Sequence, residues 1–135
     1  MRRWAAAFAV ALAACGGGAK SGSLADWKLR YGAVVVDLGA ALDRVAAATK
    51  EGEPTGIRTS CAALRESVNE AQHARPVPDE KAQASWRSAL DAITAGVTDC
   101  LGAMARGDAR QLERSITQLR DARLKLDSAT AALAA

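Results

Sequence analysis

Few residues of this chain could do covalent or acid–base chemistry. Its 135 residues include three cysteines, Cys15, Cys61 and Cys100, and one histidine, His73. A thiolate can act as a nucleophile or metal ligand and a histidine as a general acid or base, but each needs partner groups close by. The sequence has no nucleophile elbow, no Cys-x-x-Cys-His motif and no glycine-rich phosphate loop. We therefore expect no catalytic site, no metal site and no cofactor.

The histidine and the aspartates have simpler explanations than catalysis. His73 lies near the predicted end of a helix, beside Arg75, where a cation stabilises the C-terminal carbonyls. A catalytic or ligand role for His73 is the alternative. Four aspartates lack the Glu-x-x-His spacing of di-iron bundles and are predicted to lie on solvated helix faces: Asp37, Asp43, Asp91 and Asp99.

The first fifteen residues have the three parts of an export signal. A basic start, Met1-Arg2-Arg3, precedes an apolar run from Trp4 to Ala11, which is shorter than the roughly 20 residues that span a bilayer. The run ends in Leu12-Ala13-Ala14-Cys15, which resembles the lipobox of bacterial lipoproteins. The alternative is a buried N-terminal helix followed by a glycine linker.

The lipobox resemblance implies that Cys15 receives a diacylglyceryl group and becomes the first residue of the mature protein. It divides the chain into a signal peptide (1–14), a lipidated cysteine with a Gly/Ser tether (15–23) and one domain (24–135). The implied location is the outer face of the plasma membrane. In a Gram-negative host it would be the periplasmic face of the outer membrane, because Gly16 replaces the aspartate that retains enterobacterial lipoproteins on the inner membrane.

Removal of the signal changes what charge and length imply. Without Arg2 and Arg3, the 18 basic residues fall to 16 against 15 acidic ones, a net charge of +1. A nearly neutral domain without a basic run gives no support to nucleic-acid binding. The eight residues 16–23 have the composition of a flexible linker with a reach of about 15 Å, so we expect the domain close to its membrane.

Apolar residues from Leu24 onward recur every three or four positions, which is typical of amphipathic helices. The pattern predicts four helices, at about 24–50, 57–74, 80–106 and 108–133. Pro54 and Gly56 mark the first junction, Pro76 and Pro78 the second. Short connections predict an all-α, up-down-up-down antiparallel four-helix bundle.

Local signals fix the ends of helices three and four. Gly107 is expected to close helix three in the left-handed conformation. Asp79 and Asp108 are predicted N-caps, the second with Gln111 as a capping-box partner.

Once Cys15 is assigned to lipid, Cys61 and Cys100 remain as a pair. Both lie on predicted core stripes, and in an antiparallel bundle both approach the same end of helices two and three. Export to an oxidising compartment favours a disulfide between them. The alternative is two unpaired core cysteines.

Two tryptophans, Trp27 and Trp86, also lie on core stripes. They either fill the wide layers of an alanine-rich bundle or form the wall of a small-molecule pocket. A cavity between them would favour the pocket.

A strip of small residues recurs every seven positions on helix one: Ala25, Gly32, Gly39 and Ala46. Glycine inside a helix costs about 1 kcal/mol relative to alanine, so its presence here needs a reason. The strip either packs closely against helix two or four or forms a groove for a second protein or a second copy.

The mature domain resembles small exported helical proteins of actinobacteria, many without an assigned function, in its alanine-rich helices and its Pro76-to-Asp79 junction followed by Trp86. Two functional hypotheses follow. The first is a membrane-tethered, non-enzymatic interaction module that binds another envelope protein. The second is a lipoprotein that holds a small apolar ligand between its helices.

Overall fold

The computed structural model describes residues 22–134, and these form four α-helices without a strand. The helices are α1 (Leu24–Glu51), α2 (Pro54–Gln72), α3 (Glu80–Arg106) and α4 (Ala109–Ala134). Each packs against its neighbours in the chain, and α1 also contacts α4, while the backbones of the diagonal pairs stay apart. The predicted all-α four-helix bundle is confirmed. The predicted signal peptide (1–14), Cys15 and most of the predicted tether lie outside the described residues.

The predicted helix ends are right to within one residue for α1, α3 and α4, but the start of α2 is wrong. Pro54 does not interrupt the chain before the helix, because it occupies the first helical turn, where its missing N–H is not needed. The Glu53 carboxylate caps this end by accepting hydrogen bonds from the N–H groups of Thr55 (3.4 Å) and Gly56 (2.9 Å). The helix also ends earlier than predicted, with His73 as its C-cap.

The predicted caps of α3 are present, and at α4 the predicted Asp108 cap is present but the predicted capping box is not. Asp79 accepts from the Ala82 N–H at 2.7 Å, and Gly107 adopts the left-handed conformation, with φ 64°. Asp108 accepts from the Gln111 N–H at 3.0 Å. The Gln111 side chain does not complete a capping box, since it accepts from the Arg106 guanidinium instead.

The start of α1 has a capping box formed by Ser23, a residue that was predicted to belong to the tether. The Asp26 N–H donates to Ser23 Oγ at 3.2 Å, and the Ser23 N–H donates to Asp26 Oδ2 at 3.1 Å. Ser23 is therefore the first residue of the folded body.

The apolar stripe of α2 is buried at every predicted position, and the stripes of the other helices are buried at most of theirs. Six predicted core residues are only half-buried, because they lie near helix ends or beside the α1–α4 contact: Leu24, Tyr31, Val34, Met104, Leu112 and Ile116. The core therefore lies chiefly between α2, α3 and the facing sides of α1 and α4.

The contact between α3 and α4 is the most extensive in the bundle. It is lined on both sides by small buried residues at seven-residue spacing: Ala82, Ala89, Gly96 and Ala103 on α3, and Ser115, Ala122 and Ala129 on α4. Small side chains let two helix axes approach closely. The one buried hydroxyl among them is satisfied, since Ser115 Oγ donates to the Leu112 carbonyl at 2.7 Å.

A disulfide joins Cys61 of α2 to Cys100 of α3, with the sulfurs 2.05 Å and the Cα atoms 6.5 Å apart. Both residues are fully buried. The predicted pairing is confirmed, and it staples two adjacent helices within the core.

Candidate interaction surface

The seam between α1 and α4 is the smallest helix–helix contact of the bundle. Two depressions open along it, of about 370 and 170 Å³, and Arg123 of α4 lines both. The larger depression is lined on the α1 side by Val35, Val36, Gly39, Ala40 and Asp43. Because α1 and α4 cover one another least, this seam leaves apolar side chains at the surface.

Arg123 occupies the middle of the seam. Its guanidinium lies 3.6 Å from the carboxylate of Asp43 on α1 and 3.6 Å from that of Asp127 one turn further along α4. All three side chains are more than a third exposed, so these ion pairs contribute little stability. This guanidinium lies between two carboxylates, and Arg120, which lines the smaller depression, adds a second positive charge to the seam.

Val36 is the largest apolar side chain exposed on this seam, with 70% of its surface accessible. Ala33 and Ala40 are exposed one turn before and after it. A single exposed aliphatic residue is ordinary on a protein surface. Here the three form a continuous smooth stripe beside an open groove, which suits contact with another helix.

The predicted small-residue strip does not form one uniform face. Ala25 and Ala46 are exposed, Gly32 is half-buried and Gly39 is buried. A Cβ added to Gly39 would lie 2.5 Å from Arg123 Nη1, whereas one added to Gly32 would meet nothing within 4 Å. Gly39 thus packs inside the bundle under a guanidinium, and Gly32 borders open space.

The close backbone approach that the strip was expected to mark lies elsewhere, at Gly96 of α3. A Cβ at Gly96 would lie 2.6 Å from Leu119 Cδ2 and 2.8 Å from its Cγ. The seven-residue spacing of Ala82, Ala89, Gly96 and Ala103 was visible in the sequence. Alanines are so frequent in this chain that their spacing alone does not identify a close contact between helices.

The two core tryptophans contact one another directly. Their ring centroids are 5.7 Å apart in an edge-to-face arrangement, and Tyr31 packs on Trp27 at 5.2 Å. Trp27 Nε1 donates to the Arg75 carbonyl at 2.7 Å, which ties α1 to the segment between α2 and α3. The rings themselves fill the space that a ligand pocket between them would need.

The other candidate groups lie apart from each other on the surface. His73 is exposed at the end of α2, where its Nδ1 donates to the Asn69 carbonyl at 2.6 Å. Among the aspartates, Asp43 pairs with Arg123, and Asp37 and Asp91 are exposed as predicted. Asp99 is half-buried, so the prediction of a fully solvated position is wrong for it. Within residues 22–134, no three His, Cys, Asp or Glu side chains gather as a metal site would require.

None of the four helices in the described part of the chain combines the length and apolar character needed to cross a membrane. Comparison with protein-family models, with curated proteins and with solved structures found no match. Function must therefore be argued from the chemistry of the surface itself.

Proposed function

We propose that this chain is the precursor of a bacterial lipoprotein whose mature bundle is a non-enzymatic protein-interaction module, held on a membrane of the cell envelope by lipid on Cys15. The anchor rests on the resemblance of Leu12-Ala13-Ala14-Cys15 to a lipobox. The interaction rests on one structural observation, the exposed apolar seam between α1 and α4 with Val36 at its edge.

The partner that fits this seam is an amphipathic helix of another envelope protein. Two antiparallel helices with an open seam form a straight groove, and such grooves bind helices through aliphatic residues spaced by three or four positions. The seam presents both signs of charge, the Asp43 and Asp127 carboxylates and the Arg120 and Arg123 guanidiniums, which suits a helix that carries basic and acidic residues beside its apolar face. The shape of the groove and its charged rim both suit an amphipathic helix.

The contact between the Trp27 and Trp86 rings weighs against the alternative of an apolar ligand between the helices. A ligand would have to separate two rings whose edge-to-face contact itself contributes about 0.5–1.5 kcal/mol beyond buried area. The depressions near these residues are open to solvent and carry charged or polar groups at their rims. We therefore favour the interaction module.

Mass spectrometry of the membrane fraction tests the anchor. We expect a mature N-terminus at Cys15 carrying a diacylglyceryl group, and an uncleaved, unmodified chain in a Cys15→Ser variant. A wild-type product that retains Met1, or one that is cut elsewhere and free of lipid, would refute the anchor.

Site-specific photocross-linking in the native envelope tests the interaction. A photoreactive residue in place of Val36 should give one discrete cross-linked product, which an additional Ala40→Glu substitution abolishes. Leu124 of α4 provides the matched control, because it is 66% exposed on another face of the bundle. Equal products at both positions, or none at Val36, would contradict an interaction through this seam.

A further inference from the structure

A crevice of about 460 Å³ opens at the end of the bundle where α1 begins. Its lining combines the first two turns of α1 with the segment that follows α2: Asp26, Trp27, Leu29, Arg30, Tyr31 and Arg75. The hydrogen bond from Trp27 Nε1 to the Arg75 carbonyl holds these two parts together. The crevice is therefore built by a tertiary contact and not by a single helix end.

The crevice is lined by two guanidiniums and one carboxylate, which gives it a net positive charge. In the part of the chain that the structure describes, neither Arg30 nor Arg75 pairs with a carboxylate. The nearby Asp26 carboxylate accepts the Ser23 N–H and lies at the positive end of the α1 dipole, which offsets part of its charge. Two guanidiniums remain free to bind an anion.

Leu29 lies between these charges and is the most exposed large apolar residue described, with 87% of its surface accessible. Lys28 and Arg30 flank it, and both are exposed. An apolar side chain bordered by basic ones is typical of segments that lie in the interface of an anionic membrane. Leu29 is about 8 Å along the helix axis from the start of α1, given a rise of about 1.5 Å per residue.

We infer that this end of the bundle docks on the surface of the membrane, with Leu29 inserted among the lipids and Arg30 and Arg75 bound to the phosphates of anionic phospholipids. The inference rests on the proposed lipid anchor at Cys15. The seven residues 16–22 between the proposed anchor and the cap of α1 have a linker composition with a predicted reach of about 15 Å, which would place the crevice at the surface that holds the anchor. Guanidiniums bind phosphate oxygens with paired hydrogen bonds, which suits two arginines at one rim.

Fluorescence quenching in proteoliposomes tests this contact. The full lipidated protein with Leu29→Trp is reconstituted into vesicles of acyl-brominated phosphatidylcholine, with or without an equal part of brominated phosphatidylglycerol. We expect the introduced indole to lose most of its fluorescence, and to lose more in the presence of phosphatidylglycerol. The same substitution at Leu124 should remain unquenched, with the wild-type protein giving the background from Trp27 and Trp86.

Charge variants test the role of the arginines. Arg30→Gln combined with Arg75→Gln should remove the response of quenching to phosphatidylglycerol. Arg110→Gln combined with Arg114→Gln makes the same change in net charge at exposed positions near the start of α4 and should leave that response intact. Equal effects of the two pairs would overturn specific phosphate binding at the crevice.

The anchor and the docking fail in different ways. Protein that floats with the vesicles but shows no quenching at position 29 would overturn the docking while leaving the anchor in place. Protein that does not float with the vesicles would overturn the anchor and, with it, the inference that rests on it.

Discussion

Gly96 of α3 lies so close to Leu119 of α4 that an added methyl group would be 2.6 Å from Leu119 Cδ2 and 2.8 Å from its Cγ. Leu119 is itself buried, and Cγ is not the free end of a flexible chain. The small residues on both helices make this approach possible, and Gly96 is the position at which even alanine does not fit.

Gly96→Ala should therefore destabilise the bundle, although helix propensity alone favours alanine by about 1 kcal/mol. Overpacking of a dense core costs about 1–3 kcal/mol, which exceeds the propensity gain or cancels it. Gly32→Ala is the matched control, because an added methyl meets nothing within 4 Å, and it should stabilise by up to about 1 kcal/mol. Urea denaturation of both variants measures the difference, and a more stable Gly96→Ala protein would contradict the proposed close contact.

The glycines also show which features of the fold the sequence could predict and which it could not. The periodicity of large apolar residues predicted four helices and every buried position of α2, because burial of such residues dominates folding. The partners of small residues could not be predicted in this way. Gly32 and Gly39 are seven residues apart and occupy equivalent positions on α1. Only the placement of Arg123 on α4 makes Gly39 crowded and leaves Gly32 open.

The crevice beside Leu29 could not be predicted from the sequence for a related reason. Arg30 and Arg75 are 45 positions apart, and no local pattern connects them. Both line one crevice because the Trp27 indole N–H donates to the Arg75 carbonyl, which holds the segment after α2 against the start of α1. The start of α2 was predicted too late because proline is unfavourable inside a helix but favourable in its first turn, where Pro54 lies.

Removal of the disulfide should lower stability without changing the fold. The bridge joins positions 39 residues apart, and chain entropy assigns a loop of this size about 4 kcal/mol. A Cys61→Ala, Cys100→Ala variant should unfold at lower denaturant concentration by up to that free energy, while its far-ultraviolet circular dichroism remains helical. Wild-type protein treated with reductant should behave in the same way, and identical midpoints for the oxidised and reduced forms would contradict the prediction.

Trp27→Phe should loosen the connection between α1 and the segment after α2. The change keeps an aromatic ring but removes the donor to the Arg75 carbonyl, 2.7 Å away. Because this hydrogen bond is only part-buried, its loss should cost about 0.5–1.5 kcal/mol. Trp86→Phe is a comparison, since its indole N–H makes no hydrogen bond to the described residues. We expect a larger loss of unfolding free energy for Trp27→Phe, and an equal loss in both variants would argue against the hydrogen bond.

Gly39→Ala should have a small net effect that depends on Arg123. The added methyl would stabilise the helix by up to about 1 kcal/mol, but it would lie 2.5 Å from Arg123 Nη1 and displace the guanidinium from Asp43. That exposed ion pair contributes about 0.2–1 kcal/mol, so the two effects nearly cancel.

A double-mutant cycle separates these two effects. An Arg123→Ala background removes the three atoms nearest to the new methyl, all of them in the guanidinium and within 3.8 Å, and Gly39→Ala should then stabilise by nearly the full propensity difference of about 1 kcal/mol. Residues in contact usually show coupling free energies of about 0.5 kcal/mol or more. Gly32→Ala in the same two backgrounds should show no coupling, because Gly32 lies against open space. If Gly39→Ala has the same effect with and without Arg123, the glycine has no role in seating the guanidinium at the α1–α4 seam.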